Sequence, residues 1–285
     1  MHDLAIVFIT LIICTFIILA FAVWIAVSLS AVLYWYEAAN LQPELLDRRF
    51  KPSCWRRVLA IYAKEYVLTL LSFALYPFGL IRSRLPRFDR QKPILLLVHG
   101  LYLNRASCFY LHWRLKQSNH HIVSINLPPW RGLERLTECI DRTVSALHQQ
   151  GFTGPIDLVG HSLGGIIARN YVQRRGGDQH IRHCITIAAP HYGSKIVPFA
   201  LSELARQLSP RSQFIEQLSQ SPWPQHVGFF SIFSPTDSIV LPPGRNRHEH
   251  ATNIEVMHSG HTSLLYHHET YRHILDIVTT ENNHD

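Results

Sequence analysis

The stretch Gly160-His161-Ser162-Leu163-Gly164-Gly165 restricts the fold of this chain more than any other feature. It follows Ile156-Asp157-Leu158-Val159, which reads as a short buried strand, and it leads into Ile166-Ile167-Ala168-Arg169-Asn170-Tyr171-Val172, which reads as a helix. A Gly-x-Ser-x-Gly sequence between strand and helix predicts a sharp turn, a nucleophile elbow, in which glycines flank the serine where a Cβ would collide with strand or helix. The serine Oγ then stands at a helix N-terminus, where free backbone N–H groups and the helix dipole favour developing negative charge. The other reading is a glycine-rich turn that packs and has no chemistry.

A serine hydroxyl is a weak nucleophile near neutrality and needs an imidazole to take its proton and a carboxylate to orient that imidazole. After an elbow of this kind the expected chain order is serine, acid, histidine. The β-forming run 227–233 leads into Ser234-Pro235-Thr236-Asp237, which puts Asp237 on a loop at a strand's C-terminal end. A further short strand, 252–256, precedes Met257-His258-Ser259-Gly260-His261, and His261 is the expected base. With 19 histidines in the chain, proximity alone proves little; His258 is the rival base, and Glu255 and Asp276 are the rival acids. The backbone N–H groups of Leu163 and Leu101 are the candidate oxyanion donors. Leu101 follows the apolar run 93–98 and His99-Gly100, as expected after a strand buried on both faces. No Cys/His pair has zinc-finger spacing and no His-Glu-x-x-His occurs, so neither a metal nor a cofactor is expected.

Several segments follow one another in a recognisable order. They are His99-Gly100, Asn104, the strand 122–128, the elbow with Ala168-Arg169, residues 186–194 (Thr-Ile-Ala-Ala-Pro-His-Tyr-Gly-Ser), residues 205–214, Asp237-Ser238-Ile239-Val240, and Gly260-His261 with Leu264-Leu265. From about Lys92 to the C-terminus the chain thereby resembles the α/β-hydrolase fold, and within it bacterial triacylglycerol-lipase-like proteins and their membrane-anchored relatives. Membrane-bound deacylases of glycosyl-phosphatidylinositol type share the strand and elbow pattern. The resemblance implies carboxylic-ester hydrolysis by Ser162, His261 and Asp237. It does not specify a substrate, because the fold hosts many chemistries. It also implies that residues 205–214 correspond to lid-side helices and that the anchoring membrane is a bacterial inner membrane.

Residues 4–36 contain no Asp, Glu, Lys or Arg, well beyond the roughly 20 residues that cross a bilayer. The run lacks a basic n-region and a small-residue cleavage site, so residues 1–38 read as a retained signal-anchor helix. A second apolar helix, 66–81, is expected to span or to lie in the interface within a basic juxtamembrane segment, 39–91. That segment carries Arg48, Arg49, Lys51, Arg56, Arg57, Lys64, Arg82, Arg84, Arg87 and Arg90. The net charge of +7 therefore points to membrane lipids as partners rather than nucleic acid. The number of spans, and so the side of the membrane that the body faces, stays open, as does the oligomeric state.

Alternating strand and helix over residues 92–285 predict an α/β catalytic domain, a mostly parallel sheet with helices on both faces. Residues 194–225 interrupt the alternation and read either as a lid over Ser162 or as an ordinary buried helix pair. Tyr102, Tyr192 and Phe199 are candidate substrate-binding residues. The expected function is a membrane-anchored serine hydrolase acting on lipid or acyl esters. Acyl transfer through the same triad and a non-enzymatic membrane module are the alternatives.

Overall fold

The computed structural model describes residues 2–42, 44, 52–81, 89–90, 92–200 and 202–280. Helix α1 (His2–Leu41) is followed by α2 (Pro52–Ala74) and the short α3 (Tyr76–Leu80). The body then runs β1 (Ile94–Val98), α4 (Phe109–Leu115), β2 (His121–Ile125), α5 (Leu133–Gln149), β3 (Ile156–His161), α6 (Leu163–Arg174) and β4 (Ile181–Ile187). Two short helices, α7 (Glu203–Arg206) and α8 (Gln213–Gln220), precede β5 (Gly228–Phe233), β6 (Thr252–Glu255) and α9 (His268–Thr280).

The six strands form one sheet in the order β2-β1-β3-β4-β5-β6, and every neighbouring pair is parallel. Strand β1 is apolar throughout because both of its faces are covered. Ile94, Leu96 and Val98 join the core under α5 and α6, while Leu95 and Leu97 join the core under α4 and α9. The chain leaves β1 towards β2 and returns to the other side of β1 as β3. The loops after β1 and β3 therefore diverge at the C-terminal edge and open a crevice there, where α/β sheets bind ligands. Helix α5 buries Leu133, Leu136, Ile140, Val144 and Leu147, one stripe at helical spacing.

Helix α1 has two unlike halves. At about 1.5 Å per residue it is roughly twice as long as a bilayer core is thick. Residues 3–18 are exposed all round, whereas Val23, Val27, Ser30 and Ala38 form a buried stripe in the C-terminal half. That half packs on α2, where the Ser28 hydroxyl lies 2.8 Å from the Tyr62 hydroxyl. Among the described residues α1 is the one helix long and apolar enough to cross a membrane. The apolar run expected as a helix over 66–81 is divided between the end of α2, which starts at Pro52 and stops at Ala74, and α3. Pro77 explains the break: inside a continuous helix its ring would clash with the carbonyl four residues back, but in the first turn of α3 its missing N–H costs nothing. Arg48, Arg49, Lys51, Arg82, Arg84 and Arg87 lie outside the described residues. Residues 194–225 hold two short helices, α7 and α8, joined by turns, and Ser202 and Ser212 cap them by accepting from Ala205 N and Ile215 N. Leu201 lies outside the described residues.

At the opposite end of the sheet from the crevice, β3 buries Asp157 completely. Its carboxylate accepts from Arg182 Nη2 at 2.6 Å, His183 Nδ1 at 2.8 Å and His120 Nε2 at 3.2 Å. Burial pushes the Asp157 pKa up, but these three donors outweigh it and hold the carboxyl well below the usual range. A depressed carboxyl pKa stabilises the fold above the unfolded value of about 3.9, and that contribution is lost as pH falls through the folded value. Asp157→Ala, which removes the shared acceptor of Arg182 and the buried His120 and His183, is expected to cost about 3–5 kcal/mol and to lower the Tm. The Tm difference from wild type, followed by scanning fluorimetry in detergent, should narrow as the pH drops below about 4.

Candidate active site

Ser162 joins β3 to α6 with φ 53° and ψ −120°. That region is sparsely occupied by non-glycine residues and persists only where the surroundings enforce it. Here they do. The Ser162 N–H donates to Ile187 O at 2.8 Å, and the Ser162 carbonyl accepts from Gly165 N at 2.9 Å. A Cβ on Gly160 would lie 2.4 Å from Gly164 O, and one on Gly164 would lie 2.5 Å from Val98 O. Strand, turn, helix and the end of β1 thus meet backbone to backbone, which only glycine permits at those two positions.

The loops after β5 and β6 bring Asp237 and His261 to this turn. His261 Nε2 lies 2.9 Å from Ser162 Oγ, and His261 Nδ1 lies 2.9 Å from Asp237 Oδ2 and 3.1 Å from Oδ1. Because Nδ1 faces a carboxylate, it carries the proton, and the Nε2 lone pair is left for the serine hydroxyl. Asp237 Oδ1 also accepts from Ile239 N at 2.8 Å and Val240 N at 3.1 Å. Burial pushes the Asp237 pKa up, but the His261 charge and hydrogen bond and these two amides bring it down. At His261 burial pushes the pKa down, and the Asp237 charge, its hydrogen bond and the Glu65 charge raise it above the ordinary value.

Two further buried histidines frame the site without sharing its charge. His99 Nε2 accepts from Leu127 N at 2.9 Å and its Nδ1 donates to Gly100 O, which pins the turn after β1. His161 Nε2 donates to the His261 carbonyl at 3.1 Å. Burial lowers His99 to about 4 and His161 to about 3, so both are neutral near pH 7. Leu101 borders the cavity over Ser162, and Leu163 is the first residue of α6, where N–H groups have no partner within the helix. Leu101 thus lies at the cavity, and Leu163 begins the helix that follows Ser162.

Above the serine is an apolar cavity of about 310 Å³. Its walls include Leu101 and Val197 from the body, but also Val27 from α1 and Phe73 from α2. Tyr102 and Phe199 line it as well, and the Tyr102 hydroxyl lies 2.9 Å from that of Ser202. Tyr192 does not. Its ring stacks on His248 at 5.6 Å, beside a separate depression formed with Pro210 and Arg245, because the turn after β4 carries it away from the serine. The rivals are also apart from the site: His258, Glu255 and Asp276 are all exposed. Sequence reasoning missed Glu65 of α2, whose buried carboxylate reaches the His261 loop. One signal was present, since Glu65 is the only acid in a helix otherwise made of apolar, basic and small polar residues.

The geometry has counterparts among known proteins. The model of the alpha/beta hydrolase family matches residues 95–268. A GPI inositol-deacylase of Candida albicans (strain SC5314 / ATCC MYA-2876) is 26% identical over 168 residues, covering 53% of this chain. The match covers only 38% of that protein. Among solved structures, Bacillus licheniformis lipase BlEst2 in mature form superposes with a TM-score of 0.59 at 16% identity, covering 69% of this chain and 96% of the lipase. Aspergillus fumigatus lipase B gives 0.56 at 15%, covering 69% of this chain and 55% of its own. At such identities the two lipases speak for the fold alone. With the matched family model running from β1 into α9, and the switch-point crevice and serine elbow where that fold keeps them, the chain belongs to the alpha/beta hydrolase family.

Proposed function

We propose that this protein is a membrane-anchored serine hydrolase that cleaves carboxylic esters of lipids. The observation that carries the reading is the connected line Asp237–His261–Ser162, with contacts of 2.9 Å on both sides of the imidazole, beneath an apolar cavity. In this mechanism Ser162 Oγ attacks the ester carbonyl carbon while His261 Nε2 takes the hydroxyl proton. The carbonyl oxygen becomes an oxyanion facing the Leu101 and Leu163 N–H groups. Collapse breaks the bond to the alkoxy oxygen, which leaves with the proton from His261, and Ser162 stays acylated. Water then attacks the acyl carbon and gives a proton to His261, and collapse breaks the bond to Ser162 Oγ, which takes that proton back as the free acid is released.

The lipid part of the proposal rests on the walls. Side chains from both N-terminal helices close a cavity lined mainly by carbon, and the exposed half of α1 suits a bilayer core. Tethering at a bilayer raises the local concentration of a lipid substrate. The relative from Candida albicans is named as a deacylase of an inositol in GPI, which agrees with an acyl ester as the bond attacked.

A fluorophosphonate probe on the full chain in detergent is expected to label wild type and not Ser162→Ala, and a loss of turnover on the order of 10⁶ is expected in the variant. Free fatty acid should appear as product in water, detected by mass spectrometry. An unlabelled, folded wild type would sink the proposal. Since His261 acts only when neutral and its pKa is raised, kcat/KM should fall on the acid side with a midpoint above the ordinary imidazole value of ~6.5. A pH series on a soluble ester measures it. Val27→Trp, which fills the cavity from α1, should raise KM for long-chain esters by about tenfold or more relative to acetyl esters, as read from a chain-length series.

A further inference from the structure

Glu65 stands 5% exposed on α2, facing the catalytic body. Its Oε1 accepts from Thr262 N at 2.6 Å and its Oε2 from Ser263 N at 2.9 Å. These are the two amides directly after His261, and they enter a 3-10 turn, Ser263–Tyr266, whose first N–H groups have no partner within the turn. The carboxylate also fills the space beside Gly260, where an added Cβ would lie 2.4 Å from Oε2. Glu65 therefore contacts the chain on both sides of His261. A second contact from α2 supports the first, because the Ser72 hydroxyl lies 2.8 Å from that of Tyr266 at the end of the same turn.

Helix α1 grips the acid loop in the same way. Ser30 Oγ lies 3.0 Å from Ser238 Oγ, and the Tyr34 hydroxyl donates to Pro235 O at 2.9 Å. The two residues it reaches bracket Asp237. One N-terminal helix holds the acid loop and the other holds the base loop.

We propose that Glu65 is a positioning residue for the reaction: from α2 it clamps the loop that carries His261 and so fixes the imidazole against Ser162. This rests on the reading of Ser162 and His261 as nucleophile and base. The N-terminal helices then complete the active site as well as tethering it. The titratable groups facing His261 are Asp237 from the loop after β5, Glu65 from α2 and the ring of His161 from β3, 5.0 Å away between centroids. His161 is neutral, so Glu65 is the second negative charge that favours the imidazolium formed when the serine proton is taken.

The test compares full-length wild type, Glu65→Gln and Glu65→Asp in detergent micelles. Glu65→Gln removes the charge and turns an acceptor into a donor facing an amide. Its kcat should drop roughly tenfold to a hundredfold with KM little changed, as expected of a misplaced catalytic group. The acid limb of its kcat/KM profile should move to lower pH, because one of the charges raising His261 is gone. Glu65→Asp keeps the charge but shortens the reach, so kcat should fall while the limb stays near its wild-type place. An independent readout is the His261 ring titration by NMR on histidine-labelled protein, assigned by difference from His261→Gln, which should shift downward in Glu65→Gln. A Glu65→Gln protein whose acid limb and His261 titration superimpose on wild type, with activity lost only in step with folded fraction, overturns the proposal. So does a Glu65→Asp protein with wild-type kcat. If wild type itself is neither labelled nor active, the hydrolase reading falls, and the His261 titration still decides the clamp.

Discussion

The rest of the site depends on the close backbone approach at the end of β3. Gly160 faces Gly164, and Gly164 faces the last carbonyl of β1, with no room for a Cβ at either. That approach lets α6 begin directly over the sheet and forces Ser162 to a positive φ. A strained residue of this kind costs of order 1–3 kcal/mol and persists only where its surroundings over-determine it. The hydrogen bonds to Ile187 and Gly165 and the buried strand on each side supply that. The strain is useful because it lifts Oγ clear of the turn and towards the crevice between the β1 and β3 loops.

Around that turn the protein separates charge from polarity. Asp237 is buried and ionised because His261 and two amides offset its desolvation. His99 and His161, equally buried but without a carboxylate, stay neutral and serve as rigid hydrogen-bonding pieces. The same chemistry recurs at the opposite edge in Asp157, where His120, Arg182 and His183 surround a carboxylate at the far end of β3 from the serine. A buried acid beside histidines is therefore not enough to mark a site. Its position relative to the switch point of the sheet distinguishes the two.

The N-terminal helices change what the body can bind. Without them the crevice over Ser162 would lose the Val27 and Phe73 walls and open to its surroundings. With them it is an apolar recess, and the loops carrying Asp237 and His261 are tied to α1 and α2 by side-chain hydrogen bonds. The uncharged surface of α1 continues outward from that recess, so one helix carries both an exposed apolar stretch long enough to cross a bilayer and part of the cavity wall.

Much of this was legible in the sequence, for a definite reason. The elbow, the apolar strand 94–98, the stripe of α5 and the order Ser162, Asp237, His261 are all local patterns, set by steric limits on a turn or by the period of one element. The length of uncharged chain likewise made α1 readable as a single helix. Tertiary structure alone decided which side chains meet. Glu65 reaches amides 197 and 198 residues further along the chain, and no period or spacing encodes such a contact. Tyr192, next in sequence to a buried histidine and expected at the cavity, is turned away by the path of the chain after β4. The run 66–81 reads as one apolar helix, but Pro77 and the packing of α2 on α1 divide it at Leu75. Local stereochemistry determined the elements and the turn that carries Ser162, and long-range packing determined the walls and supports around it.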